Sequence, residues 1–168
     1  MKLIGFISFL VVLSLCPADC QKSKKCPNQE KMDKISAYLK NEFNTLCSDG
    51  TKPGSKKSHV DYANKLIGIF LSKETLGSKT PDVPDRKTLL KQVATCNNQC
   101  TKKGGDYCSK ETTKCFKDCI IPKVMFMAIG LNAWFEKNCP TINEKLVEPY
   151  EETNKKFKGY IDEFRKLK

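Results

Sequence analysis

The sequence predicts an all-α fold, a disulfide-laced bundle of five to six helices. Apolar residues recur at spacings of three and four through most of the chain, and no stretch alternates apolar and polar as a half-buried strand would. Cysteines also fall in two Cys-x3-Cys pairs, Cys96/Cys100 and Cys115/Cys119. Residues four apart stack one turn apart on a helix, so each pair puts both sulfurs on one face. Cys96 and Cys119, and inside them Cys100 and Cys115, are placed symmetrically about a tip near Tyr107, with Gly104-Gly105 where the chain reverses. This spacing predicts an antiparallel helical hairpin bridged Cys96–Cys119 and Cys100–Cys115.

Residues 1–20 read as a secretory signal: Lys2 supplies the positive start, Leu3 to Leu15 the apolar run, and no acidic residue precedes Asp19. Cleavage after Ala18 would leave an odd number of cysteines, whereas cleavage after Cys20 removes Cys16 and Cys20 together and leaves eight. The expected mature chain therefore begins at Gln21, and residues 21–168 form a single helical disulfide-rich domain. The tail Phe164-Arg-Lys-Leu-Lys168 reads as neither anchor nor retention signal, so no transmembrane tether is expected.

From Pro27, the positions Met32, Ile35, Leu39, Phe43 and Leu46 mark the first amphipathic helix. A loop rich in Gly, Ser and Lys follows to Lys57, and Ser58 with Asp61 reads as a cap for the second helix. That helix carries Val60, Ala63, Leu66, Ile67, Phe70 and Leu71 inward, has a weak spot at Gly68, and stops at Gly77. After a stiff connection with Pro81 and Pro84, Asp85 is the expected cap of a third helix holding Leu89, Val93, Cys96 and Cys100. Ser109 opens the return arm of the hairpin. Pro122 is expected to kink or restart the chain, because it lacks an amide donor and disfavours helical geometry before it. The run from Ile120 to Phe135 is apolar around most of its circumference, which predicts a helix enclosed by others. Thr141 to Glu144 reads as a capping box for the last helix, whose stripe is Leu146, Tyr150, Thr153, Phe157, Ile161 and Phe164 with a kink at Pro149. Glu151 and Glu152 stand four residues before Lys155 and Lys156, a favourable spacing for surface pairs.

Cys26 and Cys47 bound the first helix. At 1.5 Å per residue they lie roughly 30 Å apart, far beyond disulfide reach. Cys26, Cys47, Cys108 and Cys139 must therefore pair among themselves without a Cys26–Cys47 bond. Two patterns stay open, Cys26–Cys108 with Cys47–Cys139 or Cys26–Cys139 with Cys47–Cys108. A metal site is not expected, since zinc-type spacing and added histidines are missing.

His59 is the only histidine and is expected to be solvated or to cap the second helix. No Gly-x-Ser-x-Gly, His-Glu-x-x-His or Cys-Cys-x-x-His motif occurs, so the expectation is a non-enzyme with no cofactor. The net charge of +11 points to an acidic partner, but Arg86 and Arg165 are the only arginines among 30 basic residues. Lysine is a hydrated point charge rather than a fork that reads phosphate geometry, so no specific nucleic acid is expected. Lys155, Lys156 and Lys158 mark a candidate basic surface. In the apolar run, Val124, Met125, Phe126, Met127, Ile129 and Trp134 are either core or the wall of a candidate pocket. The expected function is a secreted binding or effector protein acting on an extracellular protein or an anionic surface. An extracellular carrier of a small hydrophobic ligand is the alternative, and a membrane-active toxin the third.

Overall fold

In the computed structural model, which describes residues 26–102, 104–125 and 127–167, the regular structure is all helical and no strand is present among those residues. The helices are α1 (Gln29–Ser48), α2 (Lys57–Phe70), α3 (Lys73–Leu76), α4 (Arg86–Thr101), α5 (Lys110–Met125), α6 (Ala128–Ile142), a π-helical segment (Asn143–Val147) and α7 (Tyr150–Arg165). The signal read in 1–20 and the lead-in to Lys25 lie outside the described residues, as does Phe126. Among the described residues, seven α-helices stand where five to six were expected. One reason is that the chain after Phe70 breaks into the single turn α3 before Gly77, whose φ of 107° ends it.

The apolar stripes set the packing. Helix α1 buries Met32, Ile35, Leu39, Phe43 and Leu46, and lies along α7, which buries Thr153, Phe157, Ile161 and Phe164. Helix α2 packs between α4 and α7, and α4 packs on α5. Four disulfides lace these helices. Cys96–Cys119 and Cys100–Cys115 join α4 to α5 with Cα atoms 5.7 Å apart at each bridge. Cys26–Cys139 ties the start of α1 to α6, and Cys47–Cys108 ties its end to the hairpin tip. The first helix is thus fastened at both ends. At the tip, a Cβ on Gly105 would fall 2.5 Å from the Cys100 carbonyl oxygen, so only glycine fits without a backbone shift.

Several local expectations are corrected. Helix α2 starts at Lys57, so Ser58 lies inside its first turn, and Lys57 pairs with Asp61. Asp85 precedes α4, but its backbone is left-handed with φ 50° and its side chain makes no capping bond. A side-chain cap needs the extended backbone that Asn28 adopts before α1, where its carboxamide oxygen accepts from the Lys31 N–H at 3.2 Å. Thr141 to Glu144 is not a capping box, because α6 runs through Pro140 and continues into the π-helical segment. The surface pairs also differ: Lys156 reaches Glu74 at 3.8 Å, and Glu151 accepts from the Tyr150 hydroxyl at 3.2 Å.

The largest correction concerns residues 120–135. Helix α5 runs through Pro122 to Met125, and the break comes after it, ahead of α6. Pro122 and Asp118 face solvent, so the carbonyl that proline leaves unbonded is open to water. The two arms meet at 83°. Each arm rests only one side on the bundle, α5 through Phe116, Ile120 and Val124, α6 through Leu131 and Phe135. The run is therefore an elbow with an outer apolar face rather than an enclosed helix.

Candidate functional site

The elbow exposes Ile121, Met125 and Ile129, at 51%, 61% and 84% of their full accessibility. These are the large apolar side chains left in solvent among the described residues. Ile121 and Met125 are one turn apart on α5, and Ile129 stands in the first turn of α6. One turn below Ile121 on the same α5 face lies Lys117, and Lys114 and Lys110 continue that face toward the helix start. Lys114 is held by Asp118 at 2.7 Å. Neither Lys117 nor Lys123 forms an ion pair among the described residues. Between Asp118 and Glu136 the only charged residue is Lys123, and its side chain is exposed.

The candidate pocket residues within the described part of the chain point in different directions. Val124 points inward, Met125 and Ile129 point out, and Met127 and Trp134 are half-buried against the core. The Trp134 indole N–H is buried with no partner among the described residues. Two clefts lie elsewhere. One, of about 130 Å³, has a floor of Phe70, Phe157 and Tyr160 and a rim of Glu74, Lys145, Glu152 and Lys156. The other, of about 40 Å³, lies between Phe43, Pro53, Tyr107 and Phe164. Sites for small organic ligands usually span at least ~300 Å³, and both of these clefts are smaller. The smaller one is of water size. The Tyr107 hydroxyl is buried without a partner among the described residues, and burial pushes its pKa well above the ordinary phenol value.

The candidate basic surface does not form one free patch. Lys158 pairs with Asp162 at 2.9 Å and Lys156 with Glu74 at 3.8 Å, while Lys155 points to solvent. Both arginines are engaged by partners within the chain, Arg86 half-buried and Arg165 near the surface. Arg86 donates from Nε to the Leu71 carbonyl at 2.9 Å and from its guanidinium to the Gly68 carbonyl at 2.8 Å, closing the end of α2. Arg165 donates to Asp49 at 3.0 Å and to Asp162 at 2.9 Å.

His59 is not solvated. It is 1% exposed, and its ring lies 4.8 Å from that of Phe164. Neither ring nitrogen has a hydrogen-bond partner among the described residues. Burial is the largest influence and pushes its pKa down, helped by Lys56 and opposed by the main chain at Leu167 and Lys52. The spacing of His59 from Ala63, Ile67 and Phe70 was the available signal, since it continues the buried stripe of α2 by one turn.

Among the described residues, no three His, Cys, Asp or Glu side chains gather as a metal site. No single described helix is long and apolar enough to cross a membrane, and only the bent pair Lys110–Met125 with Ile129–Val147 reaches that length and composition when taken together. The exposed elbow was partly legible beforehand in the acid-free stretch from Cys119 to Phe135 and in the four-residue step from Lys117 to Ile121 to Met125. What periodicity omits is the bend that turns one side of each arm outward. No protein-family model, curated protein or solved structure matches this chain.

Proposed function

We propose that the chain is a secreted, non-enzymatic binding protein that presents the α5–α6 elbow to an extracellular protein or surface. The observation that carries it is the exposure of Ile121, Met125 and Ile129, each more than half exposed, on the two arms of a bend that are bridged to the rest of the fold. Water-exposed apolar side chains held rigidly in one place gain free energy when a partner covers them, and little ordering entropy opposes it. Secretion is supported by the four disulfides, which persist in oxidising compartments, and by the apolar leader. The non-enzymatic part is supported by His59: the side chain best suited to proton transfer at neutral pH is sealed against Phe164.

The test is binding of fluorescently labelled, oxidised protein to intact cells. Saturable binding is expected, with affinity falling about tenfold or more in Ile121→Ser/Met125→Ser/Ile129→Ser, because each apolar side chain covered contributes on the order of a kcal/mol. The Lys155→Ala/Lys158→Ala protein should bind as the parent does. Equal binding by the elbow variant and the parent would overturn the assignment.

A further inference from the structure

Resting on the elbow as the binding surface, we infer that its partner is an anionic lipid interface, into which Ile121, Met125 and Ile129 insert. Three features of the molecule favour a bilayer over a protein cleft. First, at 84% exposure Ile129 is screened by almost nothing, and a side chain this far out of the surface is covered best by a medium that deforms around it. Second, its polarity is graded along one helix. Along one flank of α5, Lys110, Lys114 and the partly exposed Lys117 lead to Ile121 and Met125, with Asp118 held by Lys114, so the apolar end can enter the acyl boundary while lysine ammonium groups stay at phosphate level. Third, no acidic residue lies between Asp118 and Glu136, so no carboxylate in that stretch opposes approach to anionic headgroups.

The kind of cation fits as well. Arg86 is taken up by main-chain carbonyls and Arg165 by Asp49 and Asp162, so the unpaired outward charge of a chain of net +11 is carried mainly by lysine. Lysines give diffuse attraction to a charged surface rather than a stereospecific phosphate clasp. The bridge at Cys119, two residues before Ile121, and the one at Cys139 pin both arms. The tip is held out of the core and meets the interface already formed.

The experiment is co-sedimentation of the oxidised protein with vesicles of phosphatidylcholine alone and of phosphatidylcholine with one quarter phosphatidylglycerol, at low and at physiological salt. Binding to the anionic vesicles alone is expected, weakening as salt rises. Ile121→Ser/Ile129→Ser should lower the partition coefficient about tenfold or more, and Lys117→Gln/Lys123→Gln should lower it several-fold and flatten the salt dependence. These side chains are mostly solvent-facing, so unchanged helical circular dichroism is expected of each variant. Absence of binding to anionic vesicles would overturn the inference. Vesicle binding that the isoleucine variant keeps at parental strength would also overturn it, since lysine attraction alone would then suffice. Elbow-dependent binding to cells without vesicle binding would overturn the lipid assignment and leave the elbow as a protein-binding surface, whereas loss of elbow dependence on cells would remove the wider proposal.

Discussion

Arg86 is half-buried, and its planar fork answers two carbonyls that α2 leaves without helical partners, on Gly68 and Leu71. A Cβ at Gly68 would sit 3.9 Å from Nη2, an ordinary van der Waals contact, so the guanidinium does not demand glycine there. Its hydrogen bond to the Gly68 carbonyl offsets part of what the glycine costs the helix. His59 poses the opposite case, a polar ring placed among apolar neighbours. Its pKa is lowered in the folded protein from an ordinary 6.5, so below that pH the unfolded chain binds the proton more readily. The stability that neutral His59 permits is present above pH 6.5 and drains away as the pH falls toward its lowered folded value. Asp49, Asp162 and Glu148 are also held below their ordinary values of 3.8 to 4.5, and their contribution is lost only at more acid pH. Thermal unfolding followed from pH 7 to 5 should show a falling midpoint in the parent protein and a flatter profile in His59→Leu. An unchanged slope in that variant would mean other groups dominate the acid response. Lys56 and the main chain at Lys52 and Leu167 complete the electrostatic surroundings of the ring, and Phe164 of α7 closes it off.

At the scale of the element, the α4–α5 hairpin is a two-rung ladder. The inner bridge closes a loop with a sequence separation of 15, and the outer bridge encloses it with a separation of 23. A free loop of the inner size would owe about 3 kcal/mol to its bridge in the chain-entropy account. With either rung intact the hairpin is already closed, so the second adds less. Removing Cys100–Cys115 or Cys96–Cys119 by serine pairs should each cost well under half of what removing both costs, measured as denaturant unfolding free energies in a double-mutant cycle. Additive losses would contradict the ladder. The hairpin and the inward stripe of α1 were legible in the sequence because both follow from helical spacing alone, which sets where Cys96 and Cys100 or Met32 and Ile35 must point. Helix ends were less legible. Asp85 and Thr141 have the chemistry of caps, yet a left-handed backbone at one and a helix continuing through Pro140 at the other cancel it. The elbow was least legible, since its exposure depends on an 83° change of direction between two arms and not on any property of either arm's residues.

On the scale of the whole molecule, charge and covalent lacing divide the work. Packing on one buried core sets the shape, the lysine exterior sets what approaches it, and the bridges limit how far any part can depart. The placing of the bridges has a consequence for the chain's life among proteases. Taken as a circuit, Cys26–Cys139, Cys47–Cys108 and the two hairpin rungs enclose everything from α1 to the end of α6, so a single cut anywhere between Cys26 and Cys139 severs the backbone without releasing a piece. Helix α7 is outside the circuit and is kept in place by Phe157, Ile161, Phe164 and the contacts of Arg165. Limited trypsin digestion should therefore yield many fragments on a reducing gel but a nearly full-length band on a non-reducing one. The first mass lost without reductant should be a C-terminal peptide cut between Pro140 and Pro149 or within α7. Separation of the two halves of a singly cut chain without reductant, for a cut between Cys26 and Cys139, would contradict the pairing. A lysine-rich protein built this way can be nicked once at any point between Cys26 and Cys139 and still present its elbow as one covalent body.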